Sequence, residues 1–567
     1  MKKWEILYKK SKIKSQKLDG KKLVRILLEN RGLKTKKQIG EFLNPILESL
    51  TIDSLGIDKK SLLRSLARIK TAIEKKERII VFGDYDVDGI TGTAVLWEAL
   101  DSLHANAMPY IPHRIEEGYG LSKIGIENLI KQYEDVKLII TVDNGIVANE
   151  AVGFAKSKNI EVIITDHHVP DNKLPKAYSI VHSTKICGAA VAWFLSKRIK
   201  NQELGIKDGL IDDHLSLVAL ATVADMMPLN GFNRTLVKIG LENLKNTKRP
   251  GLLALLKSAG VDKKDIGVYE IGHIIGPRIN AMGRLYHGMD SLRLICTRDP
   301  KRAIDLAQKL NLTNTKRQQL TFDSFAHAKN LVGEDVDKLI FISDKSYEPG
   351  VIGLIAGRLT ENYYRPSIVL SVGKTYSKAS ARSVSGFNIV EFIRTFSDIL
   401  VDVGGHPMAA GFTVETKNIE KLKKKMEKLA EGNINQKLLT RIVKVDCELS
   451  LSLINNNLFV LLNKLAPFGY GNPEPTFLAS SVVIESMRSV GIEQKHLKVQ
   501  LRSDLGLASS QGRTLNVGTI DGIIFNHDSS QDLKIGGKVD IVYTISENIW
   551  NGNKNLELKI KDIKSSN

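Results

Sequence analysis

The chain has 567 residues, 43% of them hydrophobic and 26% charged, which is the make-up of a soluble globular protein and excludes disordered and fibrous classes. Its 82 lysines and arginines outnumber its 63 acidic residues, a formal +19 that favours a polyanionic partner, nucleic acid before an anionic membrane surface. Cys187, Cys296 and Cys447 stand far apart with no CxxC pair, which argues against structural zinc and a disulfide framework, and no run of about eighteen apolar residues suggests a membrane span. The expected setting is the cytoplasm, with no membrane partner.

Residues 1–70 read as an N-terminal helical segment of short helices with basic faces, among them KKLVRILLENRGL and SLLRSLARIKTAIEKK. Short Ile- and Val-rich runs follow, RIIVFGD, VKLIITVDNG, IEVIITDHH and AYSIVHS, with helical stretches such as GTAVLWEALDSLH between them. That alternation predicts βαβ units around a buried parallel sheet over 71–230. Each polar cluster then falls at the C-terminal end of a strand. Residues 231–335 read as a helical region that ends in a long connecting helix, DPKRAIDLAQKLNLTNTKRQQLTFDSFAHAKNLV. A second α/β unit spans 336–432, from DKLIFISD to GGHPMAAGFTV. Alternating strands HLKVQL, GTIDGIIF, KVDIVYTI and LELKIKDI predict a small β-barrel over 441–567.

The stretch IIVFGDYDVDGITGTAVL, residues 79–96, places Asp84, Asp86 and Asp88 where an apolar strand gives way to a buried helix. Crowded carboxylates raise one another's pKa or demand a cation. An EF-hand loop opens in a similar way, but its twelfth position, counted from Asp84, is Val95 rather than Glu, and the preceding run is strand-like. Helix capping accounts for one of these carboxylates and poorly for three. Asp143 ends LIITV, the trio Asp166, His167 and His168 ends VIIT, and Asp225 follows SLVALATVA. Singly, Asp143 fits a turn and the histidine pair a surface or a satisfied core. In a parallel sheet, however, the first three clusters meet at the carboxyl edge, where open α/β sheets bind ligands. Several carboxylates with an imidazole make a hard, oxygen-rich site suited to Mn2+ or Mg2+.

GDYDVDG, TVDNG, TDHH and ADMMPL resemble motifs I to IV of the DHH phosphoesterase superfamily. YIPHRIEEGYGL, GPRINAMGRL, GVIGLIAGRL, SARSVSGFNI and GGHPMAAGFT are similar, in order and spacing, to the RecJ family of single-strand-specific 5′→3′ exonucleases. The likeness covers nearly the whole chain. It implies an α/β fold in which a parallel-sheet DHH domain and a smaller α/β DHHA1 domain are joined by a long helix, with a C-terminal OB-fold barrel that binds single strands. It also implies two divalent ions, Mn2+ or Mg2+, on Asp84, Asp86, Asp88, Asp143, His167 and Asp225. In this resemblance Asp143 bridges the ions and His168 faces the scissile phosphate. Which of the three motif I aspartates touch metal directly is left open. Arg114, Arg278, Ser380 and Arg382 match positions that bind the phosphate end or adjacent backbone, and Gly404, Gly405 and His406 match a glycine-rich segment facing the metals. One departure is clear: where the family often carries Trp-His, this chain has Tyr347 and Glu348, so the role of that histidine is not carried over.

The implied activity is hydrolysis of single-stranded DNA from its 5′ end to 5′-mononucleotides by a two-metal-ion mechanism, in DNA repair and recombination. The implied agent is a monomer served by a helicase and a single-strand-binding protein. Two alternatives compete with it. The same chemistry acts on short oligoribonucleotides or cyclic dinucleotides in relatives that are shorter and lack the barrel, and a non-catalytic single-strand-binding scaffold would have lost the motif carboxylates. The length, the barrel and the complete carboxylate set favour the exonuclease.

Overall fold

The computed structural model describes residues 2–8, 20–114, 116–200, 208–503, 519–527, 533–550 and 553–566. They form two compact units, Ile46–Leu439 and a second built from Met1–Pro45 with Thr440–Asn567. Among the described residues, no helix is long and apolar enough to cross a membrane.

The larger unit begins with a parallel sheet. Its strands are β1 (Arg78–Phe82), β2 (Ala107–Tyr110), β3 (Val136–Val142), β4 (Glu161–Asp166) and β5 (Ser179–His182), in the order β2-β1-β3-β4-β5. Ile79–Phe82 and Leu138–Ile140 are wholly buried, as expected where helices cover both faces of a parallel sheet. On one face lie α1 (Val87–Asp101), α2 (Gly188–Lys200) and α3 (Asp208–Ala224), whose side chains share a core with Val81, Ile140 and Ile163. Strand β2 was not evident in the sequence because AMPY is short and contains Pro109. At the sheet edge the missing N–H of proline is tolerated.

Helix α4 (Gly276–Leu285) leads toward α5 (Pro300–Val332), an unbroken helix of 33 residues, about 50 Å long at 1.5 Å per residue. Asp299 caps α5 by accepting from Lys301 N, and Pro300 occupies the first turn, where its lost N–H costs nothing. Beyond it stand β6 (Ile340–Asp344), α6 (Ile352–Tyr363), β7 (Ser367–Ser371), β8 (Tyr376–Arg382), β9 (Leu400–His406) and β10 (Ala409–Glu415). Their sheet order is β9-β10-β8-β7-β6, parallel only between β6 and β7. The glycine-rich segment is thus a hairpin that turns at Pro407 and Met408.

In the smaller unit, strands Phe477–Val490, His496–Ser503, Ile520–Ile524, Asn553–Ser565 and Lys538–Trp550 pair in that order, and the last pairs with the first to close a five-stranded barrel. Leu23, Leu27 and Leu28 of helix Gly20–Asn30 enter its core with Phe477 and Tyr543. Buried Asp446 accepts from Asn30 Nδ2 and from Thr476 N, both at 3.0 Å, and ties that helix down. Residues 1–70, expected as one segment, are therefore divided: the described residues up to Pro45 pack with the barrel, and the helix Lys59–Glu74 belongs to the sheet unit. Apolar faces of short helices state that a core is needed without stating which one.

Candidate functional site

Four chain segments bring the acidic and imidazole groups together at the carboxyl edge of the parallel sheet. After β1 the chain turns through Asp84 to Asp86, which caps α1 by accepting from Gly89 N at 3.1 Å. A Cβ on Gly89 would stand 2.5 Å from Asp84 N, so glycine is what lets this turn close against the helix. Asp88, in the first turn of α1, accepts from Gly188 N and Ala189 N, both at 2.7 Å, and so holds the start of α2 against α1. Asp143 follows β3 with φ +65, a left-handed conformation that costs on the order of 1–3 kcal/mol in a non-glycine residue. Buried Asn144 sustains it by donating to Phe82 O and Val142 O. Asp225, just past α3, supplies the last carboxylate.

His167 Nε2 lies 3.1 Å from Asp143 Oδ1, 3.5 Å from Asp88 Oδ2 and 3.7 Å from Asp225 Oδ2. Asp84, Asp86 and Asp143 form one set whose ligand atoms all fall within 4.8 Å of one another, and Asp88, His167 and Asp225 form another. Burial first, then mutual repulsion, pushes Asp84 and Asp143 well above the usual carboxylate range and raises Asp86; the same causes bring Asp225 to about 8. Asp143 Oδ1 and His167 Nε2 are buried without a hydrogen-bond partner among the described residues. Unpaired buried polar atoms are costly, and a divalent cation between these two sets would satisfy both atoms and cancel the repulsion. The donors, carboxylate oxygens with one imidazole and no thiolate, fit Mn2+ or Mg2+. Cys187 lies nearby, but burial keeps its thiol protonated.

Asp166 has a different task. Its Oδ1 accepts from His167 N, His168 N and His168 Nδ1 at 2.7, 3.1 and 2.8 Å, and its Oδ2 accepts from Ile146 N. Burial alone would lower the pKa of His168, but this carboxylate outweighs it and raises it to about 9. The other ring nitrogen lies 3.0 Å from Tyr119 Oη. From the hairpin, His406 stacks on His168 with centroids 6.1 Å apart.

Beside the motif I aspartates opens a cavity of about 490 Å3, lined by Asp84, Asp86, Arg114, Arg284, Ser380 and Arg382 among others. The Arg114 guanidinium rests 5.1 Å from the Tyr85 ring centroid, and Arg382 Nη1 donates to Ser380 Oγ and Ala381 O. A Cβ on Gly353 would come within 2.9 Å of Ser380 Oγ, so α6 can press this close to the pair only with glycine there. Burial, and then the other arginines, lowers Arg284 to about 10, and burial with Arg114 lowers Arg382. Such cations, none of them in an ion pair among the described residues, make a receptor for an anion.

Arg114, Ser380, Arg382 and Gly405 line this cavity, whereas Gly404 and Arg278 do not. Arg278 instead donates to Asn311 Oδ1 and Ile274 O. The wall position expected of it is held by Arg284, six residues on. Six residues turn an α-helix by roughly 240°, so the two arginines of GPRINAMGRL face different ways, and sequence alone does not say which looks into the cavity. Tyr119, in YIPHRIEEGYGL, and Lys378 were also missed, because Tyr and Lys carry no signal apart from their surroundings. Tyr347, at the departure noted above, is buried with its hydroxyl 2.8 Å from His327 Nδ1. Ahead of the barrel, Tyr470 is exposed and Phe468 packs on the core.

Three family models match in chain order: the DHH family N-terminal domain over 78–222, the DHHA1 domain over 336–432 and the RecJ OB domain over 445–562. The single-stranded-DNA-specific exonuclease RecJ of Salmonella typhimurium is 30% identical over 572 residues, covering 95% of each protein. The chain belongs to the RecJ family. The Bacillus subtilis RecJ is 33% identical over 557 residues, 95% of this chain and 67% of the relative. A crystal structure of Thermus thermophilus RecJ in complex with Mn2+ superimposes with a TM-score of 0.80 at 30% identity, over 96% of this chain and 76% of that one. The DHH, DHHA1 and OB domains of the RecJ family are thus all present, in the α/β and barrel folds described above.

Proposed function

We propose that this chain is a metal-dependent exonuclease that degrades single-stranded DNA from the 5′ end, releasing 5′-mononucleotides. The observation that carries this reading is the convergence of Asp84, Asp86, Asp88, Asp143, His167 and Asp225 around unpartnered Asp143 Oδ1 and His167 Nε2. Asp84, Asp86 and Asp143 would hold one divalent ion and Asp88, His167 and Asp225 the other, with Asp143 between them. When bound, such a pair polarises the scissile phosphate and lowers the pKa of the attacking water. His168, oriented by Asp166, donates a hydrogen bond to the phosphate as charge develops on it. Arg114, Ser380 and Arg382, with Arg284, hold the terminal 5′-phosphate in the cavity, so that cutting starts at that end. Gly405 and His406 approach the scissile nucleotide from the hairpin.

By the same reading the protein is a cytoplasmic monomer in DNA repair and recombination, its barrel binds single strands, and a helicase and a single-strand-binding protein supply substrate. Its domains run 71–230, 231–335, 336–432 and 441–567. The test is incubation with Mn2+ and single strands labelled at either end, with and without a 5′-phosphate, beside duplex and RNA. First release of the 5′-terminal mononucleotide, abolished in Asp143→Asn, is expected. Internal cuts, or activity confined to dinucleotides, would replace this reading with that of a small-substrate phosphodiesterase.

A further inference from the structure

His168 is held at its ring and also at its backbone. Asp166 Oδ1 accepts from its amide at 3.1 Å and from its Nδ1 at 2.8 Å, and its Nε2 lies 3.0 Å from Tyr119 Oη. The His168 carbonyl is held from another direction, by His182 Nε2 at 2.7 Å. A carbonyl can only accept, so His182 carries a proton on Nε2 and donates it here. His182 stands outside every motif that marks the site: it closes the strand AYSIVH, and it belongs to neither ligand set.

This bond is made where the chain is otherwise released. His168 is the second residue past β4, and residues 169–174, which follow it, are all exposed. Pro170 has no N–H with which to extend the sheet. His182, by contrast, is mounted on the fold. It ends β5, paired in register with Asp166, and Val181 before it is part of the core beneath the sheet. Buried Ser183 after it donates from N to Asp166 O at 3.3 Å and from Oγ to Leu55 O at 2.7 Å. Asp166 grips the amide and the ring of His168 on one oxygen atom, and a single acceptor atom leaves the residue able to rock about it. A donor fixed between two buried neighbours, acting on the carbonyl, stops that rocking.

We infer that His182 is a positioning residue for His168: its Nε2–H fixes the His168 peptide, and with it the direction in which the His168 ring meets the scissile phosphate. This rests on the exonuclease reading for the task of His168. A misplacement of about 1 Å at a reacting centre slows turnover by up to about 100-fold. The effect of losing His182 therefore falls on turnover. Strand binding belongs to the cavity, and metal binding to the carboxylates and His167.

The experiment compares full-length wild type with His182→Phe, which keeps a planar ring and loses the donor, and His182→Gln, whose amide nitrogen can take the place of Nε2. With a 5′-phosphorylated single strand and Mn2+, the Phe variant should lose about tenfold in kcat, with KM and calorimetric Mn2+ affinity unchanged, and the Gln variant should recover wild-type kcat. In metal-free protein labelled with 15N-histidine, the Nδ1–H resonance of His168, assigned by its absence from His168→Gln, should be sharp in wild type and the Gln variant and broadened in the Phe variant. An unchanged kcat or an unchanged resonance in the Phe variant overturns the inference, as does a loss that appears in KM or in Mn2+ affinity instead. If the Phe variant does not fold, a folded Gln variant that lacks the activity or the resonance overturns it equally. The resonance needs neither metal nor turnover, so a wild type that releases no 5′-mononucleotide sinks the exonuclease reading and leaves the link between the two histidines to be decided by the spectra.

Discussion

His168 and His406 lie 19° from parallel with ring centroids 6.1 Å apart, one at the edge of the parallel sheet and the other on the hairpin of the second lobe. Their separation is set by α5 and by the packing of α4 on the turn at Gly350, whose carbonyl accepts from Arg284 Nη1. A Cβ on Gly350 would stand 2.2 Å from Arg284 O, which shows how closely the lobes meet there.

Replacing His406 with Ala should therefore affect turnover without affecting metal. His406 belongs to neither ligand set, and burial and the neighbouring His168 lower its pKa, so in the proposed mechanism it would meet phosphate as a neutral donor. The expected loss in kcat is about 100-fold, the low end for one positioned hydrogen-bonding group. Steady-state kinetics read this loss, and calorimetric Mn2+ titration should be unchanged.

Asp143→Asn should trade activity for stability. The carboxylate is buried among like charges in a left-handed backbone conformation that asparagine also accepts. Removing the charge should raise the melting temperature of the metal-free protein by several degrees, while kcat falls on the order of 10³-fold or more. Mn2+, which should raise the melting temperature of wild type, should have much less effect on the variant.

The cavity arginines predict a dependence on end chemistry. Arg382→Ala or Arg114→Ala should raise KM about 10- to 100-fold for strands bearing a 5′-phosphate, the worth of one charge-assisted hydrogen-bond pair. Strands with a 5′-hydroxyl should change little. Parallel kinetics on the two substrates decide it.

Away from the site, Glu98 accepts from Arg249 Nη1 and Nη2 at 2.8 and 2.7 Å and lies 2.8 Å from His214 Nε2. Burial would raise the pKa of Glu98, but the Arg249 and His214 hydrogen bonds prevail and hold it at about 2, against an ordinary 4.5. A depressed carboxylate contributes stability that is full above its unfolded value and fades as pH falls from 4.5 toward 2, amounting to about 3 kcal/mol. Glu98→Gln should thus cost about 3 kcal/mol in urea melts at pH 7, and its deficit against wild type should shrink below pH 4.5.

Much of this was legible in the chain. The strands that end in Asp143 and in Asp166–His168 announced themselves as short β-branched runs, because a doubly covered parallel strand must be apolar throughout. Their polar ends fall at one edge of any parallel sheet built from these strands. Strand β2 escaped because its proline argues against a strand and only its edge position excuses it. Arg284 escaped because helical phase relative to a cavity is not a local property.

What the sequence determined unaided is the inventory: which segments are strand or helix, and which chemically distinctive side chains close each strand. These follow from periodicity and residue type within a few neighbours. Only the tertiary structure decided that Asp143 stands in a strained turn beside His167, that His406 comes to rest on His168, that Arg284 and not Arg278 faces the cavity, and that residues before Pro45 join the barrel. Each of these depends on which distant surfaces bury each other, and that choice is made by packing across the whole fold, where a local pattern is compatible with several outcomes.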